Sequence, residues 1–132
     1  MSVSVILAGI AATAVMSIVM KMAPKMGLPE MNIPKVIGSM LGDNDMVGWV
    51  MHFVMGIVFT YVYATYGFAA TLTSALLYGA FHWLVVGLVM GMMPGMGVGF
   101  YMSNNGGMMA FVGGLIGHVI FALTLFYTLP LF

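Results

Sequence analysis

The chain has no cysteine, and only three lysines and three acids among its 132 residues. Without cysteine there are no disulfides and no thiolate metal sites, and nothing is said about compartment. Soluble domains carry roughly a quarter charged residues, and so few charges cannot solvate the surface of a globule of this size. The formal charge is zero, which removes any electrostatic basis for binding nucleic acid. Catalytic signatures are missing as well. No HExxH, phosphate loop or dinucleotide fingerprint occurs, and "GMGVGF" shares glycines with GxGxxG without a strand before it. All the acids, Glu30, Asp43 and Asp45, lie in one connection, so no Ser-His-Asp set is credible and a non-enzymatic protein is expected.

What is abundant is apolar surface: 63% of residues are hydrophobic and the mean hydropathy is +1.15. An all-α integral membrane protein follows. Segments of about 3–20, 46–66, 69–93 and 108–129 each reach the roughly 20 apolar residues that a bilayer crossing takes. The first has no basic residue before it and Lys21 after it, so it reads as a retained helix rather than a signal peptide. Two short links and one longer one join antiparallel spans into an up-down four-helix transmembrane bundle, forming a single domain over 1–132.

Every charge lies between Lys21 and Asp45, and that connection shares one side of the bundle, here side B, with the Pro94–Gly107 loop. By the positive-inside rule Lys21, Lys25 and Lys35 make loops 21–45 and 94–107 cytoplasmic and leave both termini outside, in a prokaryotic plasma membrane. Pro24, Pro29 and Pro34 forbid a long helix across the first half of the 21–45 loop. Residues 34–42 have helical apolar spacing at Val36, Ile37, Met40 and Leu41, which suits either an interfacial helix or an ordered cap over the bundle. Asn104-Asn105-Gly106 is a turn signal in the other loop.

Helices in lipid pack through small residues, and each span carries a stripe of them. Gly9, Thr13 and Ser17 mark the first; Gly48, Gly56, Thr60 and Ala64 the second; Gly79, Gly87 and Gly91 the third; Ala110, Gly114 and Ala122 the fourth. His52 and His118 fill the gaps in the second and fourth stripes, which turns both toward protein. The match between Gly48-His52-Gly56-Tyr61 and Gly114-His118-Ala122-Tyr127 is a weak internal echo of a duplicated hairpin. Both tyrosines point away from their histidines and read as membrane anchors.

Counting from side B at about 1.5 Å per residue puts His82 and His118 roughly 16 Å deep and His52 roughly 7 Å deep. Ionisable groups inside a membrane are costly and face the bundle interior. One reading pairs His82 and His118 with each other, with Tyr78, with Thr71 or with a backbone carbonyl. A second makes them ligands of a haem or metal between the third and fourth spans, where Gly79, Gly113, Gly114 and Gly117 would admit a flat macrocycle. A third makes them part of a proton or ion path.

Methionine is the most unusual signal. Of 17 methionines all but Met1 cluster toward side B, with none between Gly56 and Val89 and none after Met109. A generic core filler has no reason to segregate. Thioethers suit Cu(I) and imidazole accepts copper in either state, so His52 with Met16, Met20, Met55 and Met90 or Met93 is a candidate copper site. No tight MxM copper loop is present, and copper would fit better were side B outward, against the lysines. The competing reading is a deformable methionine surface for a partner protein or lipid.

The runs "AVMSIVMKM", "GWVMHFVMGIVF", "GAFHWLVVGLVMGMMP" and "GHVIF" resemble a family of small four-span prokaryotic membrane proteins of unknown function. The resemblance implies a four-helix bundle and no activity. Three functions are expected in turn. The first is an accessory subunit whose side B docks on a larger metal-dependent or energy-converting membrane complex. The second is a copper- or haem-binding membrane protein. The third is a small channel or carrier, which at this length must form a homo-oligomer and whose spans lack carboxylates.

Overall fold

A computed structural model describes residues 2–92 and 107–132, with side chains for 2–89 and 107–132. Among the described residues the fold is all-helical: α1 (Val3–Met22), α2 (Ile33–Met40), α3 (Asp45–Thr65), α4 (Leu72–Met92) and α5 (Gly107–Thr128), with 3-10 turns at Ala23–Met26 and Leu129–Leu131. Four segments are long and apolar enough to cross a membrane: Val3–Met26, Asp45–Thr65, Leu72–Val89 and Gly107–Leu131. The expected third-span end at Met93 and the turn at Asn104-Asn105-Gly106 lie outside the described residues.

Local chemistry sets the helix ends. Ser2 accepts a hydrogen bond from Val5 N at the start of α1, and Asn44 accepts from Met46 N and Val47 N at the start of α3. The expected start of the third span at 69 moves to Leu72, because the Thr71 hydroxyl accepts from Ser74 N and caps the helix there. The expected helix at 34–42 runs from Ile33 to Met40 instead. Asn32 caps it by accepting from Lys35 N, and the chain beyond it turns left-handed at Gly42 (φ 90°) and Asp43 (φ 57°). A helix cannot continue through two such residues.

The small-residue stripes decide the packing. Antiparallel α1 and α3 cross with glycine facing threonine twice. A Cβ at Gly9 would lie 3.0 Å from Thr60 Oγ1, and one at Gly56 would overlap Thr13 Oγ1. Both threonine hydroxyls donate back to their own helices, to the Gly9 and Gly56 carbonyls at 2.7 Å, so neither is orphaned at the crossing. One turn further along the same seam, Ser17 meets His52 at 3.1 Å. On the other side of α1 lies α5, and α4 packs on α5 beyond it. The α4–α5 contact is close at Gly79, whose Cβ would stand 2.8 Å from Val119 Cα and 3.0 Å from the His118 carbonyl oxygen.

The short helix α2, here called the cap, packs on α3. A Cβ at Gly48 would overlap the Pro34 carbonyl, so the two backbones touch.

Sequence neighbours α3 and α4 meet through side chains rather than backbones. Phe59 and Tyr63 on α3 reach Tyr78 and His82 on α4, with ring centroids 3.8 Å apart for Phe59–His82 and 5.1 Å for Tyr63–Tyr78. Tyr78 donates its hydroxyl proton to the Phe59 carbonyl at 2.6 Å, whereas the buried Tyr63 hydroxyl finds no hydrogen-bond partner among the described residues. The pair therefore separates in mutation. Tyr78→Phe is expected to destabilise by about 1 kcal/mol, and Tyr63→Phe to be neutral or stabilising. Unfolding of the two variants side by side in the same detergent checks this; equal losses would contradict it.

Candidate functional site

The three histidines come from three helices, His52 from α3, His82 from α4 and His118 from α5, and all line one chamber of about 40 Å³. Met16, Met55, Phe59 and Phe121 are among its other walls. A second cavity of about 500 Å³ shares Met16, Ile33 and His52 with the chamber. It lies between the end of α1, the cap and the start of α3, and carries Ser17, Met20, Met31, Trp49 and Glu30 on its walls. The molecule thus has a vestibule under the cap and a small inner chamber, with His52 and Met16 facing both.

Each imidazole is oriented by its neighbours. Ser17 Oγ lies 2.7 Å from the Thr13 carbonyl, to which it donates its single proton. His52 Nε2, 3.1 Å from that oxygen, must then be the donor, which leaves the lone pair on His52 Nδ1. His118 Nδ1 lies 2.8 Å from the Gly114 carbonyl oxygen, an acceptor only, so the proton sits on Nδ1 and the lone pair on Nε2. Holding one ring N–H on a backbone carbonyl or hydroxyl is the way proteins orient a metal-ligating histidine.

His82 differs. It is 6% exposed and packed between Phe59 and Phe121, and its buried Nδ1 has no hydrogen-bond partner among the described residues. The expected partners are otherwise engaged: the Tyr78 proton goes to Phe59, and Thr71 caps α4 with Ser74. His82 and His118 do meet each other, edge to face, with centroids 4.6 Å apart and planes at 89°.

The space that a haem would need is filled in this structure: the two rings are in contact, and three of the four glycines expected to admit a macrocycle are covered. Gly79 lies on the α5 backbone, Met20 Sδ would be 2.7 Å from a Cβ at Gly117, and Met31 Cε 2.6 Å from one at Gly113. The chamber itself, at roughly 10–15 Å³ per water position, takes an ion or a few waters and no ring system.

The shallow and deep histidines border one cavity: His52 contacts Ser17, while Met20 and Met16 reach toward Gly117, one residue before His118.

The methionines divide. Met16, Met20 and Met31 are buried, and with Met55 they line the two cavities. Met26, Met46 and Met108 are 69%, 76% and 72% exposed. His52 and Met16 line both cavities, Met20 only the vestibule and Met55 only the inner chamber, while the Met90 side chain and Met93 lie outside the described residues. Met31, Ser17 and Phe59 were missed. Ser17 was legible as a stripe residue, but which stripe faced it was not. Among the described residues no three His, Asp or Glu side chains stand near enough to share an ion. Any metal shell there must be completed by sulfur or hold only two nitrogens.

No protein-family model matches the chain, and no curated protein or solved structure is significantly similar to it.

Proposed function

We propose that the protein is a membrane-embedded four-helix bundle that binds a soft monovalent cation, Cu(I), in the vestibule under its cap. Membrane insertion is supported by large apolar side chains turned outward on all four long helices, Ile18, Val58, Leu77 and Ile116 among them, since a water-soluble surface rarely tolerates that much contiguous apolar area. The lysines of the cap end favour a cytoplasmic vestibule.

One observation carries the metal reading: His52 and the buried thioethers of Met16 and Met20 line the vestibule together, and Met55 stands with His52 and Met16 on the adjoining cavity. Thioether and neutral imidazole together are a soft set, suited to Cu(I) and poor for Mg²⁺ or Ca²⁺. His52 Nδ1 has its lone pair available because Ser17 holds the opposite nitrogen. Both ligand types are uncharged, and the vestibule wall adds one base, Lys21, and one acid, Glu30, so the loaded site keeps the ion's +1.

The experiment is a Cu(I) titration of the purified protein against a competing chelator under reducing conditions, followed by X-ray absorption. A tightly held ion with sulfur and nitrogen in its shell is expected, and His52→Ala should remove it. Protein that is folded yet binds no Cu(I), or binds it with oxygen ligands only, refutes the proposal.

The exposed Met26, Met46 and Met108 favour a second reading, an accessory subunit that docks by this end on a larger membrane complex. Thioether side chains adapt to an irregular partner surface. Gentle extraction that yields only a monodisperse homo-oligomer counts against it.

A further inference from the structure

The Tyr63 hydroxyl and His82 Nδ1 are both buried without a hydrogen-bond partner among the described residues. Their surroundings differ. Tyr63 is fully buried and borders neither the vestibule nor the inner chamber, whereas His82 stands on the chamber wall. An unsatisfied buried ring nitrogen is costly, and lipid offers no water from outside to complete it. The chamber is the space from which a partner can come. Two further polar side chains line it, Thr13 and His52. Thr13 gives its proton to the Gly9 carbonyl and His52 gives its Nε2 proton to Ser17, so each keeps a lone pair.

We propose that the chamber is the inner end of a water path, in which water enters from the vestibule and the innermost molecule is hydrogen-bonded to His82 Nδ1. A buried water takes roughly 10–15 Å³ and a few polar partners, and a chamber of about 40 Å³ with His82, His52 and Thr13 on its walls supplies both. The way in is short, because chamber and vestibule share Met16, Ile33 and His52 as walls. Beyond His82 the path closes. Tyr78 has given its proton to the Phe59 carbonyl, and the Phe59 ring lies on His82 with centroids 3.8 Å apart. Water thus reaches the interior of the bundle from side B and stops there, a half-path rather than a pore. No metal is needed for it, so it goes beyond the vestibule reading and either can fail alone.

The test uses metal-free, full-length protein in bilayers, with the histidine and tyrosine rings isotopically labelled. Solid-state NMR then selects magnetisation that arrives from water. Transfer to the His82 ring is expected, and none to the Tyr63 ring. A His82 ring that receives no transfer, or a Tyr63 ring that receives as much, overturns the proposal. Val86 is on the chamber wall, and Val86→Leu adds about the bulk of one water there. It is expected to abolish the His82 transfer and to lower the unfolding temperature, since the displaced water leaves Nδ1 unpaired. With His82→Leu in the same chain the hollow is apolar, and Val86→Leu should then raise the unfolding temperature, as cavity filling does. A rise in both backgrounds means that the chamber was never hydrated, and a fall in both means overpacking alone; either overturns the proposal. Should a variant fail to fold, the parent's transfer to His82 against Tyr63 decides.

Discussion

Protein carrying Met16→Leu together with Met20→Leu is expected to fold as the parent does and to bind Cu(I) at least ~100-fold more weakly, about 2.8 kcal/mol. The substitution separates two roles that one atom could play. Both methionines pack on α5, with Met20 Sδ and Met16 Cε 2.7 and 3.5 Å from where a Gly117 Cβ would be. As fillers of that glycine hollow they need only volume, and a leucine–methionine exchange costs less than about 1.5 kcal/mol in a core. As ligands they need sulfur. Chelator competition reads the affinity and thermal unfolding reads the packing. Unchanged Cu(I) affinity in the double variant would reduce these residues to packing groups. A large loss of stability would mean that shape, not softness, keeps methionine there.

Gly48→Ala is expected to be the most disruptive single-methyl change outside the site, costing about 1–3 kcal/mol. The added Cβ would overlap the Pro34 carbonyl and stand 2.8 Å from Gly38 N and 3.0 Å from Gly38 Cα. All of these are backbone atoms, so no side chain can swing aside. Relief must come from moving α2 off α3. Because Pro34, Ile33 and Asn32 wall the vestibule, that movement should open the site as well as weaken the fold. Lower thermal stability with faster proteolysis near Gly42, and quicker Cu(I) release, are the expected readouts. Gly27→Ala is the control: Gly27 sits at φ 82° with nothing within 4 Å of an added Cβ. Its cost is the local backbone strain of about 1 kcal/mol, with no effect on Cu(I) release. Equal behaviour of the two variants would sink the account of the α2–α3 contact.

Much of the architecture was legible because it follows from short-range rules. Four apolar runs of bilayer length became four long helices, because length and hydropathy need no tertiary information. The four-residue stripes identified the faces at which helices meet, and they put His52 and His118 on those faces. Methionine's segregation pointed to the end of the bundle where the cavities lie. The glycines behind the haem expectation mark where that legibility ends. Glycine in a helix signals that something approaches closely, but sequence does not say whether it is a cofactor, a backbone or a thioether. At Gly79 it is the α5 backbone, and at Gly117 it is Met20.

The depth ruler has the same limit, since counting residues from a common surface assumes helices that start level. The sequence alone determined the helices, their apolar outer surface, the lines along which they touch and the supply of soft ligands. Those depend on neighbours within a turn or two. Tertiary structure decided which stripe faces which, and with it that Ser17 holds His52. It also decided that His82 and His118 meet edge to face, and that all three histidines border one chamber. These are consequences of helix stagger and crossing, set by close contacts between residues up to about a hundred positions apart, such as Met20 and Gly117. No local pattern records such contacts, because each depends on where the whole opposing helix comes to rest.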